Sequence, residues 1–187
     1  MIVKTFDISG LALVVPRRFE DARGHFAETW SDRRFREAVA DAGFVQDNQS
    51  LTRRKGTVRG LHYQRPPAGQ GKLVRVLAGA ILDVAVDVRA GSPTFGRHAA
   101  VRLDAREGAQ FWVPEGFLHG FCTLEDDTAV AYKVTSYYSP EHDAGVAFDD
   151  PQLGIDWPVT AAEAVLSDKD RSLPRFADMP AAFMWQA

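Results

Sequence analysis

Cysteine is almost absent. Cys122 is the only one among 187 residues, so no disulfide can close within the chain. That scarcity makes a reducing, cytoplasmic setting the expectation. Cys122 lies in the apolar run Gly120-Phe121-Cys122-Thr123-Leu124, which reads as a buried thiol rather than a nucleophile. Long apolar runs are missing too. Leu11 to Val15 is too short for the ~20 apolar residues of a membrane helix, so neither span nor signal peptide is expected. There is no excess of positive charge: 22 Lys and Arg stand against 25 Asp and Glu, a net charge of −3. This argues against a nucleic-acid or anionic-membrane surface, which needs a basic face. A small anion in a locally basic pocket stays open. Clustered histidines are lacking as well. His25, His62, His98, His119 and His142 are scattered, and His62 is followed by Tyr63 and Gln64, so no His-x-His pair exists. That pattern is poor for a catalytic metal, and no metal or other cofactor is expected.

What remains is an ordinary globular composition, 45% apolar and 25% charged. We expect one domain over residues 1–187, long enough for a substantial core. One helix is legible. Ser31 can cap it, Phe35, Ala38, Val39 and Ala42 fall at helical spacing, and Gly43 supplies a stop. The rest reads as short strands. Residues 1–16 form two around a Ser9-Gly10 turn, and Arg23-Gly24 turns into another extended segment. From Phe44 to Leu51 the chain alternates, with Gln46, Asn48 and Ser50 on one face. Lys72 to Leu77 and Ile81 to Val88 read as a hairpin about Gly79. Strands follow at Ala99–Leu103, Gln110–Val113, His119–Leu124 and Thr128–Val134, and the tail from Asp149 wraps them with a short helix. Many short strands at even spacing indicate an all-β sandwich, barrel or jelly roll.

Strand parity gives the first functional signal, because residues two apart share a face. Lys72 shares one with Val74 and Val76, Asp83 and Asp87 with Ile81 and Ala85, and Tyr132 with Val130 and Val134. Polar groups among inward apolar ones imply a polar cavity, because a buried unpaired charge costs several kcal/mol. An ion pair between Lys72 and a carboxylate is the bland alternative. The segment Arg59-Gly60-Leu61-His62-Tyr63-Gln64 places a cation, a histidine and a phenol together. A lone strand histidine is most often structural. Arg59 and His62 are three apart, so a regular strand points them to opposite faces. If both line one pocket, a bulge or twist is needed near Gly60.

These residues resemble the dTDP-4-dehydrorhamnose 3,5-epimerase family along nearly the whole chain. The resemblance rests on Asp21-Ala22-Arg23-Gly24-His25-Phe26-Ala27-Glu28, Val45-Gln46-Asp47-Asn48, the Arg59–Gln64 segment and Gly71-Lys72-Leu73-Val74. It continues through Gly91-Ser92-Pro93-Thr94-Phe95-Gly96, Pro114-Glu115-Gly116-Phe117-Leu118-His119-Gly120-Phe121 and Tyr132-Lys133. It closes with Ile155-Asp156-Trp157-Pro158 and Leu166-Ser167-Asp168-Lys169-Asp170. It implies a metal-free, all-β cupin-type jelly-roll barrel with one N-terminal helix and short C-terminal helical segments. It further implies a homodimer whose segments cross between subunits. The family's activity is inversion of C3 and C5 in a dTDP-linked 4-keto-6-deoxysugar, within dTDP-rhamnose biosynthesis. The resemblance makes His62 the general base, Tyr132 the general acid, Asp170 the carboxylate orienting His62, and Lys72 the cation near the sugar carbonyl. Arg23, Phe26 and Glu28 resemble contacts made across the dimer. Gln46, Asp47, Asn48, Arg59, His119, Tyr138, Asp143 and Lys169 fall on other substrate-contacting positions. Asp143 departs from the glutamate usual there.

The chemistry is consistent with those types. Protons at C3 and C5 are α to the C4 ketone, so inversion needs a base on one face and an acid on the other. Imidazole, with a reference pKa near 6.5, can act as the base, and a phenol near 10 can deliver a proton. The enolate needs a preorganised cation, and arginine forks suit a diphosphate. A relative inverting only C3 or only C5 uses the same residues and stays open, as does a non-catalytic cupin-type binding protein.

Overall fold

A computed structural model describes residues 1–186. In chain order the strands are β1 (Ile2–Thr5), β2 (Ala12–Val15), β3 (Arg18–Asp21) and β4 (Gly24–Ala27), followed by helix α1 (Asp32–Ala38). Then come β5 (Gln46–Thr52), β6 (Val58–Gln64), β7 (Lys72–Ala78), β8 (Ala80–Asp87), β9 (Arg89–Ala90), β10 (His98–Asp104) and β11 (Gln110–Val113). Finally come β12 (Phe117–Thr123), β13 (Thr128–Val134), β14 (Asp143–Gly145), helix α2 (Asp168–Arg171) and β15 (Phe183–Met184). Two antiparallel sheets carry the fold, ordered β1-β2-β11-β7-β13-β5 and β10-β8-β12-β6-β14. From β5 to β14 nearly every connection crosses from one sheet to the other, the jelly-roll pattern expected. The sheets face each other without closing into a barrel.

The predicted β7–β8 hairpin does not form. The two strands belong to different sheets, and Gly79, at φ 76°, turns the chain across the gap. One intervening residue is too few for a two-residue hairpin turn, so the chain bends rather than folding back. Inner faces meet in a core that includes Val74, Val76, Ile81, Ala85, Leu103, Phe111, Phe121 and Val130. Outside the five-stranded sheet, Leu61, Val84, Val86 and Leu118 pack under Trp157, Phe176 and Phe183 of the tail. Both faces of β8 are therefore covered, which is why its sequence is nearly continuously apolar.

Helix α1 is shorter than its periodicity suggests. Ser31 sits at the N-cap without a side-chain bond, and the helix ends at Ala38, not Gly43. The amides of Val39 and Ala40 both return to Phe35 O, while Arg36 pairs with Asp32 (3.0 Å) and with Asp41 just past the end. This tightens the chain before another turn can form. Gly43 instead gives room to the Arg36 guanidinium, which a Cβ would meet at 2.8 Å. Phe35, 2% exposed, holds the helix on Trp112 and Phe44 through edge-on contacts at 5.2 Å. Burying such a ring contributes about 2–3 kcal/mol.

Candidate active site

β6 carries His62, and its irregularity answers the parity problem. Pairing with β12 runs His119↔His62 and then Phe121↔Arg59, so β6 uses one extra residue between them. The bulge falls at Gly60 and Leu61, with Gly60 at φ 127°. A Cβ there would lie 2.6 Å from Gly120 Cα and 2.8 Å from His119 O. Only glycine fits, and both Arg59 and His62 consequently line one hollow.

Asp170 comes from the short helix α2. Ser167 caps that helix, accepting from Asp170 N at 3.1 Å and donating to Asp170 Oδ2 at 2.9 Å. This leaves Asp170 Oδ1 2.5 Å from His62 Nε2, with Asp170 only 6% exposed. Burial pushes the Asp170 carboxyl up, but bonds from His62 and Ser167 outweigh it and hold it below its ordinary value. A carboxylate only accepts, so Nε2 carries the proton and Nδ1 is the nitrogen left over.

Lys72 begins β7 and Tyr132 lies on β13. The hollow has two lobes of about 230 and 260 Å³, both lined by His62, Lys72 and Tyr132. One lobe adds Gln46, Asn48, Tyr138 and Asp143; the other adds Arg59, His119, Lys169 and Asp170. Lys72 makes no ion pair among the described residues, so the bland alternative is not realised. Desolvation lowers its ammonium to about 8, against the pull of Asp143 and Asp83. Burial also raises the Tyr132 phenol, partly offset by Arg59, so it stays protonated at neutral pH. At the rim, Asp143 Oδ2 accepts from Tyr138 Oη at 2.8 Å and from Lys169 Nζ. The shorter acid therefore still spans these two partners.

Not every predicted position reaches this hollow. Asp47 pairs with Lys133 at 2.9 Å and lines a neighbouring hollow with Trp30 and Arg75, one that meets the first at Asn48 and Tyr132. Arg23 and Phe26 lie on the exposed β3–β4 ribbon, where Arg23 pairs with Asp21 at 2.6 Å and Phe26 is 70% exposed. Glu28 follows the ribbon and pairs with Arg34 at 3.0 Å. Asp87 is a correction to parity. Its carboxylate is taken up by Arg89, Ser92 and Thr94 at 2.6–2.8 Å, clamping the next loop rather than opening a cavity. Tyr63, Gln64 and Gln70 line the first lobe and three further residues line the second without having been predicted as site residues. Ser50 was on the right face, Phe121 looked like plain core, and Ser167 stands three residues before Asp170 as a cap should.

The family model for dTDP-4-dehydrorhamnose 3,5-epimerase matches residues 5–178. The dTDP-4-dehydrorhamnose 3,5-epimerase of Sinorhizobium fredii is 51% identical over 185 residues, covering 99% of this chain and 94% of that protein. Among solved structures, the dTDP-6-deoxy-D-glucose-3,5-epimerase of Legionella pneumophila in complex with dTDP-4-keto-L-rhamnose superposes with a TM-score of 0.94. It is 42% identical and covers 100% of this chain and 99% of that one. A 3'-monoepimerase from Streptomyces bikiniensis in complex with dTDP-quinovose gives 0.85 at 38% identity, covering 92% and 86%. A bulged strand presenting a carboxylate-bound histidine, matched over nearly its full length by such relatives, places this chain in the dTDP-4-dehydrorhamnose 3,5-epimerase family.

Proposed function

We propose that this isomerase inverts C3 and C5 of dTDP-4-dehydro-6-deoxyglucose to give dTDP-4-dehydrorhamnose, acting in the cytoplasm as a homodimer in deoxysugar synthesis. The observation that carries the reading is the His62–Asp170 bond in a hollow shared with Lys72 and Tyr132. His62 Nδ1 takes the proton from C3 or C5. The C–H electron pair moves into the ring bond, and the C4 oxygen becomes an enolate beside the Lys72 ammonium. Asp170 stabilises the imidazolium that forms. Tyr132 delivers its proton to the opposite face; the phenolate then recovers one from solvent and the His62 imidazolium releases one, which restores both groups. Arg59 and Lys169 supply charge for the diphosphate. Arg23, Phe26 and Glu28 stand on an exposed ribbon outside their own chain's hollow. That placement supports a role in completing a partner's site.

The likeness to a 3'-monoepimerase favours a second reading, inversion at C3 alone, since one base and one acid serve either carbon. Incubation with the 4-keto substrate in D2O, with deuterium located by mass and NMR, separates them. Label at both C3 and C5 of an inverted product is expected. Label at C3 alone selects the second reading, and no label rejects both.

A further inference from the structure

The hollow holds a second histidine–carboxylate pair that the reaction scheme above leaves unused. His119 is the direct cross-strand partner of His62. Its Nε2 lies 2.7 Å from Asp83 Oδ1 of β8, the strand on the other side of β12 from β6. Asp83 is 0% exposed, on β8 between apolar neighbours, and its Oδ2 has no hydrogen-bond partner among the described residues. Leaving a buried carboxylate oxygen without a partner is destabilising and calls for a reason. Packing alone does not require an acid here, since Ile81 and Ala85 on the same face are plain core. His119 itself is 7% exposed and lines the lobe with Arg59, Lys72 and Tyr132.

We propose that Asp83 is a positioning residue for the epimerisation, fixing His119 so that its Nδ1 faces the sugar as a second oriented imidazole beside His62. This rests on the proposed function. Two orientations of a histidine ring place different nitrogens in the cavity. A carboxylate bonded to Nε2 selects one of them, and the Nε2 proton with it. Two neighbouring imidazoles on paired positions of β6 and β12 are thus held from opposite flanks, one by Asp170 of α2 and one by Asp83 of β8. His119 is thereby a fixed contact for the sugar as charge develops on it, and Asp83 acts mainly through His119, with a lesser charge effect on Lys72.

The test combines a double-mutant cycle with NMR of 15N-histidine-labelled protein. Asp83→Asn keeps the volume and removes the charge. It should lower kcat on the 4-keto sugar about 10–100-fold, the range for loss of one oriented partner. Inhibition by dTDP, which lacks the sugar, should not change. In a His119→Asn background Asp83→Asn should cost several-fold less than in wild type, since its main partner is gone and only the charge effect on Lys72 remains. The downfield Nε2–H resonance of His119 should move upfield in Asp83→Asn, where a neutral amide oxygen replaces the carboxylate, while that of His62 keeps its position. Additive losses in the cycle would overturn the proposal, as would an unshifted His119 resonance in the variant. If Asp83→Asn does not fold, the wild-type spectrum decides: a bonded Nε2–H on His119 supports the tether, and its absence overturns it. An inactive wild type would instead overturn the proposed function, while the resonance still reports on the tether.

Discussion

Replacing Asp170 with Asn isolates the orienting carboxylate. The side chain is 6% exposed and bonded at 2.5 Å to His62 Nε2, so it is not a solvent-screened surface partner. Asparagine keeps the size and can still meet Ser167, so the cap and the fold should survive. What disappears is the anion facing a developing imidazolium. At an effective dielectric near 20, two charges about 4 Å apart interact by roughly 4 kcal/mol. The neutral amide recovers about a quarter as an ordinary hydrogen bond of about 1 kcal/mol. A net loss of about 3 kcal/mol corresponds to about 150-fold in kcat. KM should stay within about threefold, because the lost interaction is made mainly in the transition state. The assay is steady-state turnover of the 4-keto sugar, with thermal unfolding as the control for folding. Because Asp170 is held below its ordinary carboxyl value, the deficit should be flat across neutral pH. A kcat within threefold of wild type would refute the dyad.

Three further outcomes are expected. Lys72→Met should cost about 10²–10³ in kcat, as loss of an oxyanion donor does; in wild type kcat/KM should fall above pH about 8 as the buried ammonium loses its proton, and a flat alkaline limb would exclude Lys72 as the enolate's cation. Gly60→Ala should destabilise the protein by about 3 kcal/mol or more in urea unfolding, because both near contacts of the new Cβ are backbone; unchanged stability would mean the bulge tolerates side chains. Arg23→Ala should raise KM more than it lowers kcat, and mixing it with inactive His62→Ala should restore activity through heterodimers with one intact site; no restoration would place Arg23 in its own chain's site.

Most central strands were legible to within a residue or two because each run alternates or is bounded by glycine and proline, whereas the short β14 and β15 carry no such signal. Gln110–Val113 and Thr128–Val134 match residue for residue. Pairing was not legible at Gly79, where local signals cannot tell a turn within a sheet from a turn between sheets. Lys72 and Tyr132 stood out as polar groups on apolar faces, and the structure opens that face into the hollow. The same signal at Asp87 meant a loop clamp, since its partners Ser92 and Thr94 lie in a loop that parity says nothing about. Asp170 is 108 residues from His62. No spacing rule reaches that far, and only the family resemblance named it. The need for a bulge at Gly60 did follow from counting residues between Arg59 and His62.

The central claim is stereochemical: His62 removes a proton on one face and Tyr132 returns one on the other. The Tyr132→Phe variant in D2O tests it most directly, with deuterium uptake compared against product configuration. The ring and its packing remain, so the enolate still forms over His62 but is reprotonated only from the original face. The account predicts deuterium at the α carbons without inversion. Inversion at near wild-type rate in Tyr132→Phe would contradict it.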